Sequence, residues 1–344
     1  MMLDRNQFNY VQIAGNHKSG TSLLSSLLDD HPDIACYPGQ TSATGFLFPI
    51  LSDPKISMVT KLEVIKDERF QKETDGYIPV EDCNLFEVEA RLKVLSDEID
   101  NNFAEIHFAL LKSFYDVFNP ERLQRSRIWL DKSPLSHLFA DDIFDILPST
   151  KFIHILRDPK DNFASVGGSF MKRVRSRVKR EALLWRYRIW SAQSFYYAKR
   201  NLEKFGAERY MVIRYRDLCL EPERLVAEIA AFIGIPVLDI LFQPTRGGYF
   251  YPGNNKDGAV FTGISADNIS RWKERIPQYY AQVMEDQPSE YLQNFNYQQY
   301  FSENERTRAV RTHQIITTFI PRSTLFIKFH QRHFQSPAKG IPGV

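Results

Sequence analysis

An apolar run that opens directly onto a turn rich in glycine and hydroxyl side chains is the feature that most constrains the fold. Residues 8–14, FNYVQIA, have the length and the β-branched members of a buried strand. The turn GNHKSGTS follows at 15–22, and residues 21–29 have the pattern of a helix. A strand, a glycine-containing turn and a helix in this order begin many parallel α/β folds. Unpaired N–H groups at such a helix start bind phosphate readily.

Further apolar runs of the buried-strand type alternate with helical patterns along the chain. The strand-like runs are 128–134, 151–159 and 210–218, and the helical patterns are 135–147, 181–206 and 222–234. Strands that alternate with helices favour a parallel sheet with helices on both faces. The sequence therefore predicts a P-loop-type three-layer α/β fold with a central, mostly parallel sheet and a helical insertion.

A single domain is expected to span residues 1–300. Residues 55–120 within it are helical and rich in acidic side chains, and we interpret them as an insertion that caps the substrate. Residues 301–344 form a basic and aromatic C-terminal tail, whose structure the pattern does not indicate.

Charge and cysteine content narrow the class of protein. The net charge of the 344 residues is +2, which gives no general attraction to nucleic acid. The three cysteines are far apart and form no CxxC pair, so the sequence predicts no zinc or redox site and favours a reducing compartment. No apolar run reaches membrane-spanning length, and no signal peptide is recognised. We therefore expect a cytoplasmic protein without a membrane span and without a metal.

The turn after the first strand has the composition of a phosphate-binding loop. Lys18, Ser19, Thr21 and Ser22 supply donors, and Gly20 lets the backbone approach a ligand closely. A glycine-containing turn of any doubly wound fold explains the glycines but not this cluster of donors. The lysine precedes the second glycine, whereas in the nucleotide-hydrolase motif it follows that glycine. The loop therefore predicts a phosphate site that differs from that motif.

A second motif begins where the run at 151–159 ends. Arg157 closes the strand, and Ser165 follows eight positions later on the next helix. Together with KSGTS, this pattern resembles the PAPS-dependent sulfotransferases, where PAPS is 3′-phosphoadenosine 5′-phosphosulfate. In that family the first loop binds the 5′-phosphosulfate, and an Arg and a Ser at this spacing bind the 3′-phosphate. The resemblance covers residues 8–35 and 125–277.

The resemblance implies which residues hold the nucleotide. Tyr215, in VIRYRDL, matches a family position near the nucleotide, and Lys256 lies in the loop before a Trp-containing segment of the family. The full implied set is His17, Lys18, Ser19, Gly20, Thr21, Ser22, Arg157, Ser165, Tyr215 and Lys256. The implied donor is PAPS and the implied product is PAP, adenosine 3′,5′-bisphosphate. The implied acceptor is a hydroxyl or an amine of a small molecule, glycan or peptide.

The resemblance also implies two catalytic lysines. Sulfuryl transfer needs positioning and charge stabilisation more than covalent chemistry, and Lys18 is predicted to stabilise charge on the leaving phosphate. Lys132, in LDKSP, resembles the lysine from which tyrosylprotein and many bacterial sulfotransferases reach the sulfuryl group. The cytosolic enzymes of phenols and steroids have a His there. The chain is therefore expected to be closer to the bacterial and tyrosylprotein-like branch.

The general base is not evident from the sequence. The bacterial and tyrosylprotein-like branches place a Glu after the second strand, and this chain has Gln40 there, in CYPGQTS. A neutral amide orients an acceptor but takes no proton. Three accounts stay open. In the first, Gln40 is natural, and either the base is another residue (Asp131, His17 or His137) or the acceptor needs little activation. In the second, the Gln is an engineered replacement of Glu. In the third, the protein is a weak or inactive member of the family.

Two other classes of protein compete with this interpretation. A P-loop kinase has a related fold, although two features disfavour it: the loop lysine precedes the second glycine, and no strand-terminal Asp is convincing as a ligand of Mg²⁺. A non-catalytic protein that holds PAPS or PAP is suggested by Gln40. The sequence predicts neither the identity of the acceptor nor the oligomeric state.

Overall fold

Five parallel strands form the central sheet of the computed structural model, which describes residues 5–66, 84–173, 176–253 and 263–318. The strands are β1 (Asn9–Gly15), β2 (Ile34–Cys36), β3 (Ile128–Lys132), β4 (Lys151–Leu156) and β5 (Tyr210–Arg214). Their order across the sheet is β2-β3-β1-β4-β5, so β1 is the central strand. Within the described ranges, no helix combines the length and the apolar character that crossing a membrane requires.

The order of the strands places a crevice at the end of β1. The chain leaves β1 towards β2 and β3 on one side, and β4 and β5 are later added on the other side. Ile13 of β1 pairs with Lys132 of β3, and Gly15 pairs with Ile155 of β4. Ligands of open α/β sheets bind where the strand order reverses in this way, outside the carboxyl ends of the strands. The loop after β1 therefore lies at the expected ligand site.

Helices connect the strands and cover both faces of the sheet. Before β3 they are α1 (Thr21–Leu28), α2 (Phe48–Leu51), α3 (Met58–Ile65), α4 (Leu85–Ser96), α5 (Phe103–Phe118) and α6 (Pro120–Arg125). Between β3 and β5 they are α7 (Ala140–Ile146), α8 (Pro159–Arg173) and α9 (Arg177–Phe205). After β5 come α10 (Tyr215–Leu220), α11 (Pro222–Ile233), a hairpin of β6 (Thr245–Arg246) and β7 (Tyr249–Phe250), α12 (Trp272–Arg275), α13 (Gln278–Glu285), α14 (Ser289–Gln293) and α15 (Glu303–Thr318).

The central strand is buried on both of its faces, as a parallel sheet between two helical layers requires. Tyr10 and Ala14 belong to a core shared with α4 and α5, whereas Val11 and Ile13 belong to a second core shared with α1 and α11. The alternation follows the two-residue period of a strand. The predicted three-layer fold with a parallel sheet is therefore confirmed.

One predicted strand is wrong at its C-terminal half. The sequence pattern predicts a strand over 210–218, but the strand ends at Arg214 and Tyr215 begins α10. The neighbouring strand β4 ends at Leu156, which pairs with Arg214, so no backbone partner remains beyond this point. Arg214 Nε instead donates to Asp217 Oδ2 at 2.6 Å across the first turn of α10.

The helical insertion contributes to the core as well as to the surface. In α5, His107 and Phe108 pack on Trp129 of β3, with ring centroids 4.6 and 5.4 Å from it. Residues 67–83, in the middle of the insertion, lie outside the described part of the chain. The cap over the acceptor stays a prediction.

The first part of the predicted tail is a helix that packs on the domain. In α15, Ala309 and Val310 are buried in a cluster with residues of α9 and α13. His313 Nδ1 lies 2.7 Å from Glu181 Oε2, and both side chains are buried. Residues 319–344 lie outside the described part of the chain.

Candidate active site

The loop between β1 and α1 has the backbone of an anion-binding turn. Lys18 has a φ of 64° and Gly20 a φ of 113°, so both adopt left-handed conformations. A Cβ on Gly20 would lie 2.4 Å from the ring of Tyr215, which makes glycine necessary here. Among the residues that the structure describes, no side chain caps the amino end of α1, and its first N–H groups can therefore face an anion.

A cleft brings the two predicted phosphate motifs together. Lys18, Gly20, Thr21 and Ser22 of the first loop line it, and so do Arg157, Ser165 and Tyr215. Three further polar side chains complete the wall: Tyr251, Ser265 and Asn268. Sequence reasoning did not single out these three, although Ser265 and Asn268 lie in the Trp-containing segment that carried the resemblance.

Arg157 links the two motifs directly. Its Nη1 donates to the carbonyl oxygen of Lys18 at 2.9 Å, and its Nη2 donates to the carbonyl oxygen of Asn268 at 2.9 Å. The guanidinium carbon also lies 4.3 Å from the centre of the Tyr215 ring, a cation–π contact. The side chain is therefore oriented by three segments that are far apart in sequence.

Among the described residues, two predicted nucleotide contacts, His17 and Ser19, are not in the wall of the cleft. The ring of His17 packs against Phe46 and Trp190, with centroids 5.4 and 5.6 Å away. The hydroxyl of Ser19 is buried and has no hydrogen-bond partner among the described residues. Lys256 lies outside the described part of the chain.

The predicted acceptor-side residues Lys132 and Gln40 are neighbours. Lys132 is 4% exposed at the end of β3, and its Nζ lies 3.5 Å from Gln40 Oε1. Gln40 Nε2 donates to Ser42 Oγ at 2.8 Å. The structure thus places the amide of Gln40 between a cation and a hydroxyl.

Asp131, one of the three candidate bases, is enclosed by hydroxyl donors. It is 1% exposed and accepts from Thr41 at 2.7 Å, Thr44 at 2.9 Å and Ser133 at 3.0 Å. Burial would raise the pKa of Asp131, but His107 and the hydroxyl donors outweigh it and lower that pKa to about 2. A carboxylate that is so acidic and so fully bonded is a poor proton acceptor.

His137, another candidate base, is buried beside a second histidine. Its ring stacks on that of His154 with centroids 4.5 Å apart, and neither ring is exposed. Burial, with a smaller effect of His17, lowers the pKa of His137 to about 3. His154 is in turn held by Tyr210 and Ser194, at 2.9 and 3.0 Å. His137 is therefore neutral at physiological pH and closed off from an acceptor.

Among the described residues, no group of three or more His, Cys, Asp and Glu side chains is arranged to hold a metal ion. Cys36 and Cys219 are buried free thiols.

The family of the chain is shown by its sequence. The model of the Sulfotransferase family matches residues 11–239, which is more than half of the chain and includes both phosphate motifs. The chain therefore belongs to the sulfotransferase family, and the prediction of a sulfotransferase is confirmed. No curated protein sequence is a significant match.

Solved structures of sulfotransferases resemble the chain at low sequence identity. The sulfotransferase domain from the curacin biosynthetic pathway has 16% identity and a TM-score of 0.49, over 85% of this chain and 98% of that domain. A sulfotransferase from Alicyclobacillus acidocaldarius has 20% identity and a TM-score of 0.40, over 81% and 99%. Mouse sulfotransferase SULT7A1, complexed with PAP, has 15% identity and a TM-score of 0.44, over 91% of each chain.

Proposed function

We propose that the protein transfers a sulfuryl group from PAPS to a hydroxyl or amine of an acceptor. One observation carries the proposal: the loop at 18–22 and the pair Arg157 and Ser165 line one cleft at the carboxyl end of the central strand. PAPS has a phosphosulfate at one end and a phosphate at the other, and it needs two anion sites that flank a nucleoside.

Each end of the cleft has the groups that its phosphate needs. The start of α1 offers N–H groups, hydroxyls and the charge of Lys18 to the phosphosulfate. Arg157 and Ser165 offer a charged and a neutral donor to the 3′-phosphate. The Tyr215 ring lies beside Arg157 and forms part of the wall between the two ends.

The transfer is a direct displacement at sulfur. The acceptor atom forms a bond to sulfur while the bond from sulfur to the phosphate oxygen breaks, and the acceptor proton passes to a base. Lys18 stabilises the negative charge that develops on the leaving phosphate of PAP. Lys132 stabilises the sulfuryl oxygens from the acceptor side, because its buried ammonium is held at the end of β3.

His17 is the base in this proposal. Its ring is half-buried beside the phosphate loop and rests on Phe46 and Trp190. The other two candidates, Asp131 and His137, are buried, and their pKa values lie far below neutrality. Gln40 then orients the acceptor by hydrogen bonding and takes no proton.

Equilibrium binding tests the donor. We expect PAP to bind in EDTA and ATP with Mg²⁺ to bind weakly, because Arg157 and Ser165 have no partner on ATP. Arg157→Ala is expected to lower the affinity for PAP by about 100-fold, because the variant loses a charge-assisted bidentate contact with the phosphate. Arg224→Ala removes a surface cation of α11 and is the matched control. Tight ATP binding with weak PAP binding would instead indicate a kinase.

Labelled transfer tests the reaction. The protein is incubated with ³⁵S-PAPS and extracts of candidate acceptors, and the product is followed by mass. Lys18→Ala is expected to slow transfer by about 10²–10³-fold, while PAP affinity falls much less. PAP binding without any labelled product would favour the second candidate function, a non-catalytic nucleotide-binding protein, which the neutral Gln40 suggests.

A further inference from the structure

A second cavity adjoins the nucleotide cleft and shares Arg157 and Tyr215 with it. Its other walls come from the start of α8, from the junction of β5 and α10, and from two segments at 269–273 and 296–300. The proposed transfer reaction assigns no role to this cavity.

The lining of the second cavity is rich in cations. Five basic side chains contribute to it: Arg157, Lys160, Arg214, Arg216 and Lys273. Two carboxylates, Asp158 and Asp161, also line it. The chemistry of the cavity therefore depends on which of these charges already have partners.

Both carboxylates are already bonded within the protein. Asp158 lies 3.1 Å from Lys160 Nζ and accepts from the Lys160 amide at 2.8 Å. Asp161 accepts from the backbone N–H groups of Ser270 at 2.7 Å and Trp272 at 3.1 Å. Asp161 also interacts electrostatically with Arg157. Among the described residues, neither carboxylate forms an ion pair with Arg216 or Lys273.

Among the described residues, three of the five cations form no ion pair with a carboxylate. Lys160 pairs with Asp158 and Glu285, and Arg214 pairs with Asp217. Arg157 donates to two backbone carbonyl groups, those of Lys18 and Asn268. Arg216 and Lys273 are exposed and form no ion pair with a described residue. The cavity therefore keeps a net positive charge.

Tyr297 adds a buried donor that lacks an acceptor. The residue lines the second cavity and is 9% exposed, and its hydroxyl has no hydrogen-bond partner among the described residues. Burial and the nearby charge of Asp158 raise the pKa of Tyr297 well above its ordinary value, so the hydroxyl keeps its proton. A buried hydroxyl without a partner is unfavourable, and a bound acceptor removes that penalty.

We propose that the second cavity binds a tetrahedral oxyanion, the phosphate or sulfate group of a small ligand, distinct from the donor. Arg157, Arg216 and Lys273 supply the charge, and the hydroxyl of Tyr297 donates a hydrogen bond. Because Arg157 also faces the nucleotide cleft, the bound anion lies near the 3′-phosphate of the proposed donor. Like charges then weaken each other's binding, and by linkage the effect is reciprocal. The cavity is an inhibitory anion site.

Binding of ³²P-phosphate, measured by equilibrium dialysis with and without saturating PAP, tests the proposal. We expect one phosphate to stay bound per chain when PAP fills the cleft, with lower affinity than in its absence. The double variant Arg216→Ala and Lys273→Ala is expected to lose at least about tenfold in phosphate affinity. Arg308→Ala with Arg311→Ala, two exposed cations of α15, is the matched control and should bind as the wild type does.

Tyr297→Phe separates a binding role from a structural role. Because the hydroxyl has no partner among the described residues, its removal should leave the melting temperature unchanged. The affinity for phosphate should fall about fivefold, because the variant loses a hydrogen bond to the ligand. A lower melting temperature with unchanged phosphate affinity would overturn the assignment.

Two further results of the phosphate-binding measurements would overturn the proposal. Complete displacement of phosphate by PAP would place phosphate in the nucleotide cleft. Phosphate that survives the loss of Arg216 and Lys273 would lie elsewhere. Competition experiments identify the kind of ligand. Displacement of ³²P-phosphate by sulfate indicates a site for a free ion, and tighter displacement by sugar phosphates or nucleotides indicates a site for the phosphate group of a larger ligand. If PAP does not bind, this result contradicts the proposed function. The anion site is then tested without PAP, by comparing the phosphate affinity of the wild type with that of the variant lacking Arg216 and Lys273.

Discussion

The proposed acceptor half of the site contains two neighbouring side chains, Lys132 at the end of β3 and Gln40 in the segment after β2. Lys132 Nζ lies 3.5 Å from the amide oxygen of Gln40, and the amide nitrogen of Gln40 donates to Ser42. The amide therefore has a fixed direction. A carboxylate in its place would accept from both neighbours, since an ammonium and a hydroxyl can each donate to it.

Because His17 is the proposed base, Gln40→Glu is expected to leave the rate of transfer unchanged or to lower it. A rise of about 10²–10⁴-fold would instead show that position 40 is that of a missing base. The physical reason is that a carboxylate can take the acceptor proton and an amide cannot. Single-turnover transfer of label from PAPS measures the effect. Gln40→Ala supplies no base and serves as the control. An unchanged or slower rate for Gln40→Glu would leave the base role with His17.

Asp131 is a residue whose charge stabilises the fold. Its pKa is lowered from 3.8 to about 2, so the folded state favours the ionised form. The resulting stability is present above about pH 4 and is lost as the pH falls through about 2, and it amounts to about 2 kcal/mol. The three hydroxyls that donate to it fix the segment after β2 against the end of β3.

Asp131→Asn is therefore expected to lower the free energy of unfolding by about 2 kcal/mol at pH 7 and by much less near pH 2. Urea unfolding at both pH values measures the difference. Asp145→Asn, at an exposed position of α7, is the control and should change little at either pH. An equal loss of unfolding free energy at both pH values would mean that Asp131 stabilises the fold by packing and not by its charge.

At the scale of elements, the first βα unit was the most predictable part of the molecule. The apolar run, the glycines and the hydroxyls are all local in sequence, and the observed β1 and α1 lie within a residue of their predicted bounds. Strand β2 was not recognised from its own residues, because three residues are too few to show a period, and only the resemblance implied a strand before Gln40. The bond from Arg157 to the Lys18 carbonyl group joins positions 139 residues apart, and no local pattern reports it.

The same limit applies to the candidate bases. Nothing in the residues around His137 indicates that its ring is buried against His154, because the burial comes from helix α9 packing over it. Tyr197 and Ser194, both on α9, contact the two rings. Sequence reasoning could name the three candidates, and only packing distinguishes the half-exposed His17 from the other two.

Helix α15 is an element that the sequence pattern did not reveal, and its packing is testable. Val310 is 9% exposed in a cluster with Leu184 and Met284, whereas Arg308 is exposed. Val310→Asp places a charge without a partner in this cluster and is expected to lower the free energy of unfolding by about 2–4 kcal/mol. Arg308→Asp should change it little. Faster hydrogen exchange along α15 in the first variant alone would confirm the contact.

At the scale of the whole molecule, the nucleotide cleft is assembled from segments across the fold. The end of β1, the end of β4, the start of α10 and the segment around Asn268 each contribute to it. A ligand that binds these segments together stabilises the folded state as a unit. The unfolded chain, in which they are far apart, cannot bind it in the same way.

PAP at 100 times its dissociation constant is therefore expected to stabilise the fold by about 2.7 kcal/mol. Thermal unfolding followed by calorimetry in EDTA measures the shift, and adenosine 5′-monophosphate, which lacks the 3′-phosphate, is the control ligand. We expect a clear rise in melting temperature for PAP and a much smaller one for the control at equal concentration. Equal shifts for both nucleotides would contradict the assignment of Arg157 and Ser165.

The bond between Arg157 and the Lys18 carbonyl group has a consequence for attempts to change the donor. The arginine sets the position of the lysine backbone, whose φ of 64° is unusual for a residue with a side chain. Replacing the arginine to admit a nucleotide without a 3′-phosphate would also release the loop that carries the lysine. With the roles proposed for Arg157 and Lys18, donor selectivity and turnover are mechanically linked, and a redesign of one end of the cleft has to rebuild the support of the other.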